Sequence, residues 1–200
     1  MTLVTDALAG KQRIMDVAAS LFIDRGVDGA SLRQIADLVG MKAGSLYYHF
    51  GSKNELLSAI FERGIEVMVS AFDEADTATS DLSDRERVAA HVRAHLAALF
   101  ENGPYTAAHV TAFRTAPAEV RDAIVPIRDE YEAMWTDLLR GLAASGAIAD
   151  STPLGLHRLL LFGAMNASVE WFDPGRGNLD DLAAAITNQF WDGLSKKAPA

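Results

Sequence analysis

Apolar positions recur with helical spacing along almost the whole chain. Between Lys11 and Arg25, Ile14, Val17, Ala18, Leu21 and Phe22 fall at i, i+3, i+4, i+7 and i+8, one stripe of a helix that Gly26 ends. Ser31 opens a short helix whose buried side is Leu32, Ile35, Ala36 and Val39. Gln34, three residues on, completes a capping box in which each residue satisfies a free amide of the other's turn. Gly40 breaks this helix, and a second short one, 43–50, turns Leu46 and Phe50 inward. Another box, Ser52 with Glu55, starts a long helix carrying Leu56, Leu57, Ile60, Ile65, Met68, Val69 and Phe72. The polar, acidic stretch 73–81 predicts a loop.

A third box, Ser83 with Glu86, leads into Val88, Val92, Leu96 and Leu99, and Asn102-Gly103-Pro104 stops that helix. A shorter helix is expected over 105–114. Pro117 suits a first helical position, where its missing amide proton has no partner to lose. The helix after it is striped by Val120, Ile124, Ile127, Tyr131, Met134, Leu138 and Leu142, with Pro126 inside the pattern as an expected kink. Thr152-Pro153 begins a helix to about 172, and Asn178 caps a last one to about 194. No hairpin signal interrupts the series. The fold class is all-α, with about nine helices.

Composition narrows the functional classes. The chain has 200 residues and no cysteine, which removes disulfides, thiolate metal sites and cysteine nucleophiles. No apolar run reaches the roughly 20 residues of a membrane span, and no basic segment feeding a long apolar run stands at the start, so a cytoplasmic protein with no membrane partner is expected. The net charge of −9 is unevenly placed: residues 1–58 balance six basic groups against six acids, and the whole excess of acid lies beyond. The N-terminal quarter is therefore the part least repelled by a polyanion.

Two short helices joined by a tight turn and packed on a preceding amphipathic helix make a helix-turn-helix, whose second helix enters the DNA major groove. Gly44 and Ser45 are small enough for close backbone approach to DNA. Tyr47, Tyr48 and His49 make an odd solvent face for an ordinary helix but suit contacts along phosphates or against thymine methyls. Lys53 adds a cation to the free amides at the next helix start. Arg33 and Lys42 flank the groove, or stand merely solvated. His49 has no second His, Asp or Glu at i±3 or i±4, so no metal site is expected there.

The run Ala30-Ser-Leu-Arg-Gln-Ile-Ala, then Val39-Gly, then Gly44-Ser-Leu-Tyr-Tyr-His-Phe-Gly-Ser-Lys-Asn-Glu-Leu-Leu57 closely resembles the TetR family of bacterial transcriptional regulators. That resemblance implies a homodimer with an N-terminal helix-turn-helix domain, here 1–55, and a larger ligand-binding and dimerisation domain, 56–200. Carried over by position, it assigns DNA contacts to Ser31, Arg33, Gly44, Ser45, Tyr47, Tyr48, His49 and Lys53. The turn reads Gly-Met-Lys-Ala where a Gly-Val-Ser type is commoner, which leaves the role of Lys42 open. The implied function is a repressor of palindromic operators released by a small effector.

The helix 153–172 is apolar nearly all round, and Leu160, Gly163, Ala164, Ala167 and Trp171 share one of its faces. With Leu182, Ile186, Phe190 and Trp191 of the last helix, they are the candidate dimer interface, the small residues allowing close approach. An apolar effector pocket is expected among Met68, Phe72, Phe100, Tyr105, Phe113, Met134, Trp135, Leu138, Phe162 and Met165, with His109, Arg114 and Asn166 as polar candidates. Such a stripe serves equally well as plain core. The segment Glu170-Trp-Phe-Asp-Pro-Gly175, followed by Asn178-Leu-Asp-Asp-Leu182, is similar to TetR regulators of fatty-acid and sterol breakdown, which implies an acyl-CoA effector; a lipophilic drug-like inducer is the rival. The competing classes are an all-helical enzyme, for which no triad spacing, His-Glu-x-x-His, phosphate loop or cofactor motif is present, and an adaptor using the helix-turn-helix for protein contacts.

Overall fold

The computed structural model describes residues 2–149 and 153–194, with the backbone alone for 2–7. Among the described residues there are nine α-helices and no strand. They pack as two compact units, one comprising Met1–Val67 with Gly103–Ile127 and the other Met68–Asn102 with Arg128–Ala200.

In the first unit, α1 (Thr2–Arg25) ends where Gly26 takes a left-handed φ of 71° and its amide donates to the Phe22 carbonyl at 3.0 Å. The Ser31 capping box forms as the sequence predicts and opens α2 (Leu32–Val39). At its end Gly40, at φ 76°, donates to Asp37, and Met41 donates to Ala36 at 2.9 Å, a Schellman turn that sends the chain into α3 (Ala43–His49). Ile14, Ala18, Phe22, Ile35, Ala36, Leu46 and Phe50 are buried to within 1% and form the core beneath this pair. Helix α4 (Lys53–Ala78) starts at Ser52, whose hydroxyl accepts from the Glu55 amide at 3.1 Å. The Glu55 carboxylate reaches one residue further back than a reciprocal box requires and accepts from the Gly51 amide at 2.8 Å.

The short α6 (Tyr105–Ala112) packs on α1 and is pinned close to α4. The Thr106 hydroxyl donates to the Gly64 carbonyl at 3.0 Å, and a Cβ at Gly64 would lie 2.6 Å from the Tyr105 carbonyl oxygen, so only glycine fits that crossing. The Tyr105 hydroxyl, with Gln12, bonds to Asp16 of α1. A 3-10 turn, Phe113–Thr115, follows α6 and leads to α7 (Ala118–Ala144).

The second unit is built on α5 (Asp84–Phe100), opened by the Ser83–Glu86 box and packed on α8 (Leu154–Ala167) and α9 (Leu179–Leu194). Val88, Val92, Leu96, Trp135, Leu139, Leu142, Leu161 and Met165 are its buried centre. Three boundaries depart from expectation. Helix α4 runs through most of the stretch expected as a loop, because Ala71, Phe72 and Ala75 continue its buried face past Asp73 and override the polar composition. The helix expected over 105–114 gives way to the 3-10 turn at Phe113, and α8 ends at Ala167 in another 3-10 turn, Ser168–Glu170, well short of 172. Asn178 caps α9 as predicted, its side-chain oxygen accepting from the Asp180 amide at 2.7 Å. Thr152, placed by the sequence at the start of α8, lies outside the described residues.

Candidate nucleic-acid interface and effector site

Helix α3 turns Leu46 inward, leaves His49 half-buried and exposes the rest. Leu46 is fully buried and Phe50, at the C-cap, is 1% exposed, while Gly44, Ser45, Tyr47 and Tyr48 face solvent, Tyr48 at 86%. A Cβ on Gly44 would meet nothing within 4 Å, so the chain's own packing does not require glycine there. His49 is half-buried beside Gly10, edge-on to Tyr48 at 5.7 Å, and Lys11 lies 5.3 Å over the Phe50 ring. Lys11 therefore places a cation at the recognition helix that the motif did not point to; its exposed position one turn before Ile14 was the only signal. Arg33 and Lys42 are exposed along a shallow groove that also holds Asp37, Gly40, Met41 and Ala43. Ser31 is exposed too, but its hydroxyl is already engaged in the α2 cap. Lys53, half-buried, stands at the first position of α4.

In the other unit the structure gathers Phe72, Trp135 and Phe162 round two histidines. Phe72 meets Trp135 edge-on at 5.6 Å, and Trp135 meets Phe162 at 5.6 Å. His95, 2% exposed, bridges them: its Nδ1 is 2.8 Å from the Tyr131 hydroxyl and its Nε2 is 2.9 Å from Asn166 Oδ1. Burial keeps the Tyr131 phenol protonated, raising its pKa well above 10, so the phenol donates to Nδ1 and Nε2–H donates to Asn166. Burial also pushes His95 down to about 4, against the opposing bond to Asn166. Met68, Leu138 and Met165 are buried in this unit, Met134 and Asn166 are half-buried, and Phe100 pairs with Phe172 at 5.3 Å. Tyr105, His109, Phe113 and Arg114 are placed in the first unit. There His109 lies 5.5 Å from Phe61 and 5.4 Å from Phe113, and Arg114 is exposed.

His91, His95 and Tyr131 had no place among the candidate ligand residues. The signal was present: 91 and 95 are one turn apart and flank Val88, Val92, Leu96 and Leu99 on the inward face of α5. Arg158 was missed as well. It is half-buried, pairs with Glu132 at 2.7 Å and donates to the Thr136 hydroxyl at 3.0 Å, tying α8 to α7.

The apolar face of α8 lies open in the single chain, although Trp171, expected on the same helix, stands beyond its end, just after the 3-10 turn. Leu160 is 60% and Trp171 63% exposed, Gly163, Ala164 and Ala167 are also exposed, and Leu156 and Leu159 extend the patch. Ile186, Phe190 and Trp191 of α9 are half-buried, and Leu182, at 9%, belongs to the chain's own core.

Three helices with a shared buried core, the third of them exposing small and aromatic residues, define a DNA-binding transcription regulator of the helix-turn-helix class. Family models agree along the chain: "Bacterial regulatory proteins, tetR family" matches residues 14–60, and "Tetracyclin repressor-like, C-terminal domain" matches residues 81–194. The chain belongs to the TetR family of bacterial regulatory proteins. It is 27% identical over 171 residues to the transcriptional repressor KstR2 of Mycolicibacterium smegmatis, covering 82% of this chain and 80% of that one. It is 30% identical over 199 residues to the transcriptional activator FasR of the same organism, covering 92% and 82%. The structure of AibR in complex with isovaleryl coenzyme A and operator DNA shares its fold at a TM-score of 0.77 and 23% identity, over 90% of this chain and 97% of AibR. Its relatives are regulators rather than enzymes, and no described helix is long and apolar enough to cross a membrane.

Proposed function

We propose that the chain is a ligand-responsive repressor that binds palindromic operator DNA as a homodimer and releases it when an acyl-CoA-type effector binds the unit built on α5, α8 and α9. The observation that carries this reading is α3 itself. Leu46 and Phe50 anchor it, while Gly44, Ser45, Tyr47 and Tyr48 are each exposed to solvent. Side chains left free on a rigidly seated short helix are what major-groove docking needs.

Support for the effector class comes from the aromatic cluster with its buried polar chain, from the segment 170–182, and from AibR, which is described with isovaleryl coenzyme A. Helix α4 supports the coupling: one unbroken helix carries Lys53 at its start and Phe72, 4.3 Å from His91, in its last third. An effector acts through its unequal affinity for the two states of the dimer, so a shift of this helix links both sites. The test is a gel shift against the DNA upstream of the coding region, with an acyl-CoA series of rising chain length added to the bound complex. A retarded band that Tyr47→Ala abolishes and one or more acyl-CoAs release is the expected result. Absence of any retarded band at low salt overturns the repressor reading; a band that no acyl-CoA releases or stabilises overturns the effector class alone.

A further inference from the structure

His91 is 1% exposed, one turn before His95 on α5. Its Nδ1 lies 2.7 Å from the Arg87 carbonyl, and a carbonyl only accepts, so the ring proton sits on Nδ1. The neutral ring then carries a bare lone pair at Nε2, and that atom has no hydrogen-bond partner among the described residues. Asp76 Oδ1 is 3.7 Å away, but it is itself an acceptor and is engaged by Arg87 at 3.2 Å. Burial holds His91 below its ordinary pKa, against the pull of the Arg87 carbonyl and of Asp76, so the proton that would turn this approach into an ion pair is disfavoured. An acceptor sealed from water and left without a donor carries a desolvation penalty that a ligand's donor removes. Aromatic rings pack against the imidazole itself, Phe72 edge-on at 4.3 Å and Trp135 at 6.0 Å.

We infer that His91 Nε2 is a specificity anchor for the effector, accepting a hydrogen bond from a hydroxyl group on the acyl chain, so that the preferred ligands are hydroxylated acyl-CoA thioesters. The inference rests on the acyl-CoA reading above and sharpens it. A plain acyl chain and its thioester oxygen offer no donor. The donors of the coenzyme belong to an arm that ends in phosphates, which a buried nitrogen 3.7 Å from the Asp76 carboxylate does not suit. Within this ligand class a chain hydroxyl is the group that completes His91. The adjoining chain reinforces the choice, because Tyr131, His95 and Asn166 already satisfy one another in the order given above.

Calorimetry on the full chain with hexanoyl-CoA and its 2-, 3- and 6-hydroxy derivatives tests this. At least one hydroxylated form is expected to bind about tenfold more tightly than the parent, the effect of one well-made buried hydrogen bond. In His91→Phe, which keeps an aromatic ring and removes the acceptor, that preference is expected to vanish while the parent still binds; His91→Gln, which keeps an acceptor, restores part of it. Should a variant fail to fold, the wild-type imidazole 15N signals decide: the preferred ligand is expected to shift the unprotonated Nε2 of His91 and leave its Nδ1 protonated. Parent and hydroxylated ligands binding alike, or an unmoved Nε2 signal, overturns the inference and leaves the acyl-CoA reading standing. Failure of all four to bind overturns that reading, and this one with it.

Discussion

At the scale of single residues, His95 has the largest measurable consequence. Its pKa falls from an ordinary value near 6.5 to about 4 because the ring is buried. Lowered in the folded state, it makes the unfolded chain the stronger proton binder between those values. Stability is therefore full above about pH 6.5 and lost progressively as pH falls towards 4, by roughly 3 kcal/mol if the whole shift is expressed. Urea melts from pH 7.5 to 5 should show the midpoint falling, and His95→Gln should flatten the profile while lowering stability at pH 7.5. A midpoint independent of pH over that range would remove His95 from the account. The residue scale is also where the sequence was least legible. Tyr47 and Tyr48 could be read directly, since a short helix has few ways to hide two tyrosines. His91 and His95 showed only that they share the inward side of α5, since their spacing matches the apolar stripe but a histidine beside such a stripe can equally stand at its solvated margin. Their burial depends on Phe72, Tyr131 and Phe162, which arrive from three other helices.

Single elements were far more legible, because caps are local. Ser31, Ser83 and Asn178 set their helix starts by bonds to amides two or three residues away, and a sequence displays those spacings. The end of α4 was hidden for the opposite reason: Ala71 and Ala75 are buried in the folded chain, and a polar, acidic composition around them carries no record of that burial. Ser31 joins the two arguments, since its hydroxyl caps α2 and its position matches a DNA contact. Ser31→Ala should cost about 1 kcal/mol in a denaturant melt through loss of the cap. Ser31→Asp should keep the cap and the melting midpoint, yet weaken operator binding at least as much as alanine does by placing a carboxylate against phosphate. If aspartate bound the operator as well as serine does, Ser31 would be a cap and nothing more.

The whole molecule must reconcile a charge of −9 with a polyanionic partner. Its excess acid lies beyond residue 58, and screening at physiological salt falls off over about 8 Å, so the balanced helix-turn-helix meets phosphate locally. Docking led by the cations of this domain is expected to give an operator affinity that falls linearly with salt on a log–log plot. Such a contact is weak for one copy, and in the proposed homodimer the open face of α8 is where the second copy is expected to pack. Leu156, Leu159, Leu160 and Trp171 are each more than half exposed, an apolar patch of the kind that single soluble chains seldom leave bare. Gly163 has nothing within 4 Å of where a Cβ would stand, so the single chain tolerates a side chain there, whereas the partner helix proposed to pack on this face would not. Gly163→Leu should leave the melt of the isolated chain nearly unchanged at low concentration. In sedimentation velocity it should move the species from dimer towards monomer, and its operator affinity should drop to that of a half-site. A variant that sediments as wild type and still distinguishes a full palindrome from half of one would show that two copies meet through some other face.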